Sequence, residues 1–453
     1  MKKVLMSLVL LLAVCATAFA AKATGEIIQI PANPKEGFQW GYVLYIPQNM
    51  DTSKPLPILF VMNDNGYFDT QEENIQSVIE RFESPSGAWV EYGIADGVGV
   101  PMVMPMILRK NGSSFHAQDF GRGAFVMQEG PYARLELQAL AMLKDARKQL
   151  KERNIRTQKK ALIAGFSAAG SFGYKLTLLH PQKVLAVAVG GDAYPALPFE
   201  TYQGVPLIWP MGTYDMKTYT GKKFDKKAWL NVPILVVNGE DDYNDPLPYD
   251  DTYEEEGRAV TLKVLGEGSV QDRWNKAREI LAQVAPNVQT HTYPHIDHDW
   301  EKQDIIDFLN VHKNGGPLKP ITPKDTSVYP ALLPIPVTKL YWGHEAKEVV
   351  EADEEQYVGT QEVNLLSNKK IFFWARYKNS CAFDVLYQGK TVLENVLCGG
   401  RFTYPSRKIW LQTVPFSDED MKVLKKTGGK TFSLRSRYPK IWDVPKTLTF
   451  TIK

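Results

Sequence analysis

The chain has 453 residues, 44% hydrophobic and 23% charged, which is an ordinary balance for a globular protein of more than one domain. Its formal net charge is +2, and two of the positive charges, Lys2 and Lys3, lie within the first twenty residues. The rest of the chain is therefore neutral overall and gives no electrostatic reason to expect a nucleic acid or an anionic membrane as a partner.

The first twenty residues have the pattern of a secretory signal. Lys2 and Lys3 form a charged start, Val4 to Val14 are almost all apolar, and Ala18-Phe19-Ala20 fits a small-x-small cleavage site. The apolar run is shorter than the roughly 20 residues that a membrane span needs, which argues against an uncleaved anchor. We expect cleavage after Ala20 and a secreted or periplasmic protein that is not attached to a membrane.

Two cysteines, Cys381 and Cys398, remain after that cleavage. In an exported protein a close pair favours a disulfide, with two buried thiols as the alternative. Neither cysteine lies near a candidate site, so a thiol nucleophile is not expected.

Strand-like and helix-like segments alternate from about residue 24. Short apolar runs bounded by Pro or Gly predict strands, and longer runs with helical spacing predict helices. In chain order the main segments are "FQWGYVLYIP", "LPILFVM", "VPMVMPMIL", the helical "YARLELQALAMLKDARKQLKERN", "KKALIAGF", the helical "SAAGSFGYKLTLLHP", "VLAVAVGG", "VPILVVNG", "VQTHTYP" and the helical "DWEKQDIIDFLNVH". The pattern predicts an α/β domain over 24–313, with a mostly parallel sheet covered by helices on both faces. Ligands bind such sheets at the carboxyl ends of the strands.

Three segments depart from this alternation. Residues 193–230 are rich in Tyr, Trp and Pro without a clear period, which is typical of a lid or pocket wall. Dense prolines over 314–336 indicate a linker. Short β-like runs follow, so 337–453 is expected to be a β-rich, sandwich-like accessory domain. Its tryptophans could contact a polysaccharide, although aromatic residues in β domains are more often core; they are Trp342, Trp374, Trp410 and Trp442.

The stretch "GFSAAG" places Ser167 directly after an apolar strand and before a helix. A serine nucleophile in an α/β sheet sits on such a sharp turn, which needs small residues two positions before and two after it. Gly165 and Ala169 meet that steric requirement, although the stricter pattern has Gly in the second place. Ser167 is thus the candidate nucleophile.

A serine needs a base, and the base needs an acid to orient it, with the acid preceding the histidine in the chain. Asp242 stands three residues after Gly239, at the end of the strand "VPILVVNG", and Asp245 is the second choice for the acid. His298 lies in the loop before the last helix and is preferred to His295 as the base.

The oxyanion needs backbone donors. The amide of Ala168, directly after the nucleophile, should supply one. The loop after "LPILFVM" should supply the other, from Asn65, Gly66 or Tyr67. The His-Gly start that is expected for such an oxyanion loop is replaced here by Asn63-Asp64.

These motifs resemble the α/β-hydrolase superfamily over roughly residues 38–312, and the layout is similar to that of secreted esterases of the polyhydroxybutyrate depolymerase and feruloyl esterase groups. The resemblance implies a Ser-His-Asp hydrolase that forms an acyl-enzyme and needs no cofactor. The resemblance implies an ester substrate. Because the fold does not fix which ester is cleaved, both a small-molecule and a polymer-linked ester remain open. A serine peptidase of the prolyl-oligopeptidase type and an inactive, carbohydrate-binding relative are the alternatives.

Metal binding is the less favoured interpretation of two segments. His291, His295 and His298 straddle a strand and a loop, whereas zinc sites of the His-x-x-x-His type need one helix face. Asp242, Asn244 and Asp245 could offer oxygens to calcium but lack the spaced ligands and glycine of a helix-loop-helix calcium site. We expect no metal.

Overall fold

A computed structural model describes residues 25–64, 66–83, 91–110, 116–242, 244–247, 253–296 and 298–327, followed by 342–343, 361–363, 370–375, 382–397, 399–404, 409–416, 418–429, 431–436 and 447–452. The signal sequence, Asn65, Cys381, Cys398, Trp442 and part of the proline-rich segment lie outside these residues. The predictions made for them, including the disulfide, therefore stay predictions.

The described residues of the first part of the chain form ten strands. They are β1 (Glu26–Ile30), β2 (Tyr42–Ile46), β3 (Leu59–Val61), β4 (Met102–Pro105), β5 (Ala161–Phe166), β6 (Val184–Gly190), β7 (Thr201–Tyr202), β8 (Val205–Pro206), β9 (Ile234–Gly239) and β10 (Val288–Tyr293). Eight of them form one sheet in the order β1-β2-β4-β3-β5-β6-β9-β10. Only β2 runs antiparallel to its neighbours, β1 and β4, so the sheet is mostly parallel as predicted.

Within the same described ranges, ten α-helices accompany these strands. They are α1 (Gln71–Glu83), α2 (Tyr92–Val98), α3 (Arg122–Val126), α4 (Leu135–Glu152), α5 (Ala168–Leu179), α6 (Met216–Thr220), α7 (Lys226–Trp229), α8 (Glu255–Leu265), α9 (Val270–Val284) and α10 (Lys302–His312). Short 3₁₀ turns occur at Pro34–Glu36, Ala117–Asp119 and Pro181–Lys183.

The helices cover both faces of the sheet, as strand β3 illustrates. Successive side chains of a strand point to opposite faces. Phe60 packs on one face, where its ring lies 6.0 Å from that of Phe172 in α5. Leu59 belongs to the core on the other face, together with Phe82 of α1 and Ile305 of α10. Burying each phenylalanine contributes about 2–3 kcal/mol, so both layers stabilise the sheet. The predicted α/β fold is confirmed.

The segment 193–230 is anchored in the core by Trp209. This side chain is fully buried, its ring stacks on Phe125 at 4.3 Å, and its indole N–H donates to the carbonyl of Phe120 at 2.8 Å. The segment holds only the hairpin β7–β8 and the short helices α6 and α7. Its role as a lid stays a prediction.

The C-terminal part is β-rich, as expected. The strands that the structure describes there are β11 (Trp342–Gly343), β12 (Gln361–Val363), β13 (Lys370–Ala375), β14 (Ala382–Tyr387), β15 (Lys390–Leu397), β16 (Gly399–Tyr404), β17 (Ile409–Pro415), β18 (Thr431–Ser436) and β19 (Thr447–Ile452). The helix α11 (Asp418–Lys426) lies between β17 and β18. The strands form a four-stranded sheet, β11-β13-β17-β16, and a five-stranded sheet, β12-β19-β18-β14-β15. The domain limits and the polysaccharide contact stay predictions.

None of the helices in the described residues combines the length and apolar character that crossing a bilayer requires. No three or more of the His, Cys, Asp and Glu side chains in those residues are grouped to hold a metal ion.

Candidate active site

Ser167 occupies a strained turn between β5 and α5. Its φ of 57° and ψ of −132° lie in a region that favours glycine. Two backbone hydrogen bonds hold the turn: Ser167 N–H donates to the carbonyl of Gly190 at 2.8 Å, and Ser171 N–H donates to the carbonyl of Ser167 at 3.0 Å. The turn leaves Ser167 partly exposed between two fully buried elements.

The small residues around Ser167 are required by close backbone contacts. A Cβ atom at Gly165 would lie 2.4 Å from the carbonyl oxygen of Ala169, and one at Gly170 would lie 2.9 Å from that of Gly165. The contact at Gly165 is with the backbone of Ala169, so the Ala169 methyl group does not obstruct the turn. The departure from the stricter Gly pattern is therefore sterically tolerated.

This strain predicts that Ser167→Gly stabilises the protein by about 1 kcal/mol, because relief of the strained φ outweighs the added freedom of the unfolded chain. Urea unfolding followed by circular dichroism measures the change. Ser171→Gly is the matched control, and this change inside α5 should destabilise by about 1 kcal/mol. Equal destabilisation by both variants would show that Ser167 is not strained.

Asp242 and His298 form a buried pair beyond the ends of β9 and β10. Their side chains are 2% and 4% exposed, and Asp242 Oδ2 lies 2.8 Å from His298 Nδ1. A carboxylate only accepts, so Nδ1–H donates and Nε2 keeps its lone pair, as a general base requires. The side-chain amide of Gln271 donates to the carbonyls of Gly239 and Asp242 at 3.1 and 2.6 Å, and these bonds hold the turn that carries Asp242.

The second-choice residues have other partners. Asp245 forms a fully buried ion pair with Arg273 of α9, and its Oδ1 accepts from the N–H of Leu247 at 3.1 Å. Burial raises the pKa of Asp245, and the Arg273 charge opposes the rise. His295 has a φ of 59°, and its N–H donates to Glu240 Oε2 at 3.3 Å. The structure thus pairs Asp242 with His298; their catalytic roles stay predictions.

The His298 ring lies against the residue that precedes Ser167. The ring centroids of Phe166 and His298 are 4.8 Å apart, and Trp300 packs on Phe166 at 5.2 Å. Within the described residues, no hydrogen bond joins the Ser167 hydroxyl to His298. Such bonds are often long without substrate and tighten when it binds.

The predicted oxyanion donors lie on two segments. Ala168 is the first residue of α5, where free backbone N–H groups favour negative charge. Gly66, with a φ of 101°, and the exposed Tyr67 follow β3, and the Arg109 guanidinium lies 4.1 Å over the Tyr67 ring. Their use as donors stays a prediction.

Sequence reasoning missed the contact of this loop with His116. Asp64 Oδ1 lies 3.2 Å from His116 Nε2. Burial acts to raise the pKa of Asp64, but the His116 hydrogen bond and the charges of His116, Arg109 and His298 bring it below its usual range. His116 follows a segment without periodicity, so only the departure at Asn63-Asp64 could have drawn attention to this pair.

A polar cavity lies beside α5. It is lined by Asp119, Ser171, Lys175, Asp192, Tyr194, Ala196, Pro210, Met211, Pro246 and Tyr253. Lys175 Nζ donates to the backbone carbonyl of Asp119 at 2.9 Å. Burial raises the pKa of Asp192 to about 7, and the Lys175 charge opposes the rise. The cavity volume of about 10 Å³ is enough for a single water molecule.

Comparisons with known proteins gave matches among solved structures alone. No family model matches the chain, and no curated protein matches it. The solved structures that it resembles are esterases, depolymerases and related hydrolases of the α/β-hydrolase fold. A poly(3-hydroxybutyrate) depolymerase from Bordetella parapertussis is 16% identical, with a TM-score of 0.40 over 64% of this chain and 89% of that one.

Two further structures are similar over the same share of this chain. Poly(aspartic acid) hydrolase-1 from Sphingomonas sp. KT-1 is 13% identical, with a TM-score of 0.40 over 64% of this chain and 99% of that one. A ferulic acid esterase is 16% identical, with a TM-score of 0.37 over 64% and 98%. The candidate site stands on the geometry of this chain's own Ser167, Asp242 and His298.

Proposed function

We propose that this chain is a serine hydrolase that cleaves carboxylic esters through Ser167, His298 and Asp242. The observation that carries the proposal is the buried Asp242–His298 hydrogen bond of 2.8 Å, with the His298 ring packed against the residue before the strained Ser167. A nucleophile, a base and an orienting acid, each supplied by a different loop at the same edge of a sheet, have the arrangement that acyl transfer needs.

The reaction has two acyl-transfer steps. His298 Nε2 takes the proton of Ser167 as Oγ attacks the ester carbonyl carbon, and Asp242 stabilises the imidazolium. The amides of Ala168 and of the loop after β3 hold the oxyanion. Collapse breaks the bond to the alcohol oxygen, which receives the proton from His298. Water, deprotonated by His298, then releases the acid from Ser167.

The proposed substrate is a small-molecule or polymer-linked ester. The candidate residues define the type of reaction, and the fold does not fix the acyl or the alcohol group. The proposal includes export after cleavage at Ala20 and no cofactor. Contact of the C-terminal strands with a polysaccharide carrier belongs to it as well.

A fluorophosphonate probe tests the proposal. We expect stoichiometric labelling of the folded protein, and mass spectrometry should place the label on the peptide that contains Ser167. Heat-denatured protein is the control and should not react, because the hydroxyl is nucleophilic only in the assembled site. Labelling of another residue, or none, would refute the proposal. Faster release of nitroaniline from aminoacyl-nitroanilides than of nitrophenol from esters would indicate a peptidase instead.

A further inference from the structure

Asn244 contacts both members of the Asp242–His298 pair. It follows Asp242 by two residues, and its backbone N–H donates to Asp242 Oδ1 at 3.0 Å. Its side-chain Nδ2 lies 3.3 Å from His298 Nε2. One residue thus holds the free oxygen of the acid and faces the nitrogen that has to act as the base.

That nitrogen can serve one strong donor at a time. With Nδ1–H given to Asp242, a neutral imidazole has a single in-plane lone pair, at Nε2. The Asn244 amide donates into this lone pair. In the described part of the chain, the Ser167 hydroxyl makes no hydrogen bond to His298. The amide of Asn244 and the hydroxyl of Ser167 therefore compete for Nε2.

We infer that Asn244 is a positioning residue that caps His298 Nε2 in the resting site and leaves it when substrate binds. This inference rests on the proposed function. An ester supplies oxygen acceptors next to His298, and the amide N–H transfers to one of them. Nε2 then accepts the Ser167 proton. The cap holds the His298 ring in place and limits the nucleophilicity of Ser167 until an ester is present.

The charged groups around His298 do not change when Asn244 is replaced by alanine. Asp242 contacts Nδ1, and Asp64, which is itself paired with His116 and lies near Arg109, acts on the imidazole from the loop after β3. Asn244 is neutral, and its backbone bond to Asp242 does not depend on its side chain. Asn244→Ala therefore removes the cap and leaves the Asp242–His298 pair in place.

The test compares rates of fluorophosphonate labelling between pH 5 and 10. On the alkaline plateau Asn244→Ala should react about threefold to tenfold faster than the wild type, as release of one neutral hydrogen bond implies. Asn231→Ala is the matched control, because Asn231 is exposed and its side-chain amide donates to the carbonyl of Lys227 within the same turn; its rate should not change. Asn244→Asp places a carboxylate beside Nε2, and this negative charge favours the protonated imidazole. The acid limb of the labelling-rate profile of Asn244→Asp should therefore move to higher pH by about one unit or more.

Circular dichroism and thermal unfolding establish that each variant is folded. An Asn244→Ala protein that is folded and reacts no faster than the wild type would overturn the inference, as would an unshifted acid limb in Asn244→Asp. The second variant is nearly isosteric, so it decides the question if the alanine variant fails to fold. A wild type that is not labelled at Ser167 would instead refute the proposed function, and the inference with it.

Discussion

Ser167→Ala should lower the rate of ester hydrolysis by about 10⁴- to 10⁶-fold while the protein stays folded. Alanine removes the only atom that can form the acyl-enzyme, and the residual rate comes from the oxyanion donors and substrate binding alone. The backbone conformation at 167 is kept, because alanine and serine tolerate a positive φ similarly poorly. Hydrolysis of p-nitrophenyl butyrate, measured alongside thermal unfolding, tests this.

Ser53→Ala is the matched control for that variant. Ser53 lies on an exposed turn before β3, and its hydroxyl donates to Asp51 Oδ1. The same chemical change there should alter turnover by a few-fold at most. If Ser167→Ala kept more than about a hundredth of the wild-type rate, the reaction would have another nucleophile.

The predictable part of the fold is the part set by local pattern. Buried parallel strands read as continuous apolar runs, so β5, β6 and β9 could be recognised one at a time. The turn at Ser167 is also local, since its steric demand falls on residues two to three positions away. For this reason the nucleophile candidate and the sheet were predictable from adjacent residues alone.

The choice of the acid depends on distant residues. Asp242 and Asp245 both follow β9 within six residues and look equivalent in sequence. What separates them is Arg273, which α9 buries against Asp245, while His298 reaches Asp242 from the loop after β10. Each of these contacts joins residues 28 or 56 positions apart, and no local pattern encodes them.

Two other features were hidden for the same reason. Asp64 meets His116 across 52 residues, and Trp209 reaches the carbonyl of Phe120 across 89. Both partners lie in or beside segments without a clear period, so sequence could mark those segments as irregular but could not say what they contact. Composition suggested a pocket wall at 193–230; the packing of Trp209 emerges only in three dimensions.

Because Asp242 pairs with His298 and Asp245 pairs with Arg273, replacing each aspartate should have a different effect on activity and stability. Asp242→Asn should lower kcat by about 10³- to 10⁴-fold with little loss of stability. A neutral amide cannot stabilise the imidazolium, and its N–H can hold His298 in the tautomer whose Nε2 carries the proton. Steady-state kinetics with a nitrophenyl ester, together with urea unfolding, measures both quantities.

Asp245→Asn should instead cost about 3–5 kcal/mol of unfolding free energy, because it leaves the fully buried Arg273 without its counter-charge. The fraction that remains folded should keep kcat within a few-fold of the wild type, since Asp245 does not touch His298. Asp245→Asn is therefore the matched control for Asp242→Asn: the same change of carboxylate to amide, three residues away. A stable but inactive Asp245→Asn beside an active Asp242→Asn would exchange the two roles and make Asp245 the residue that orients the base.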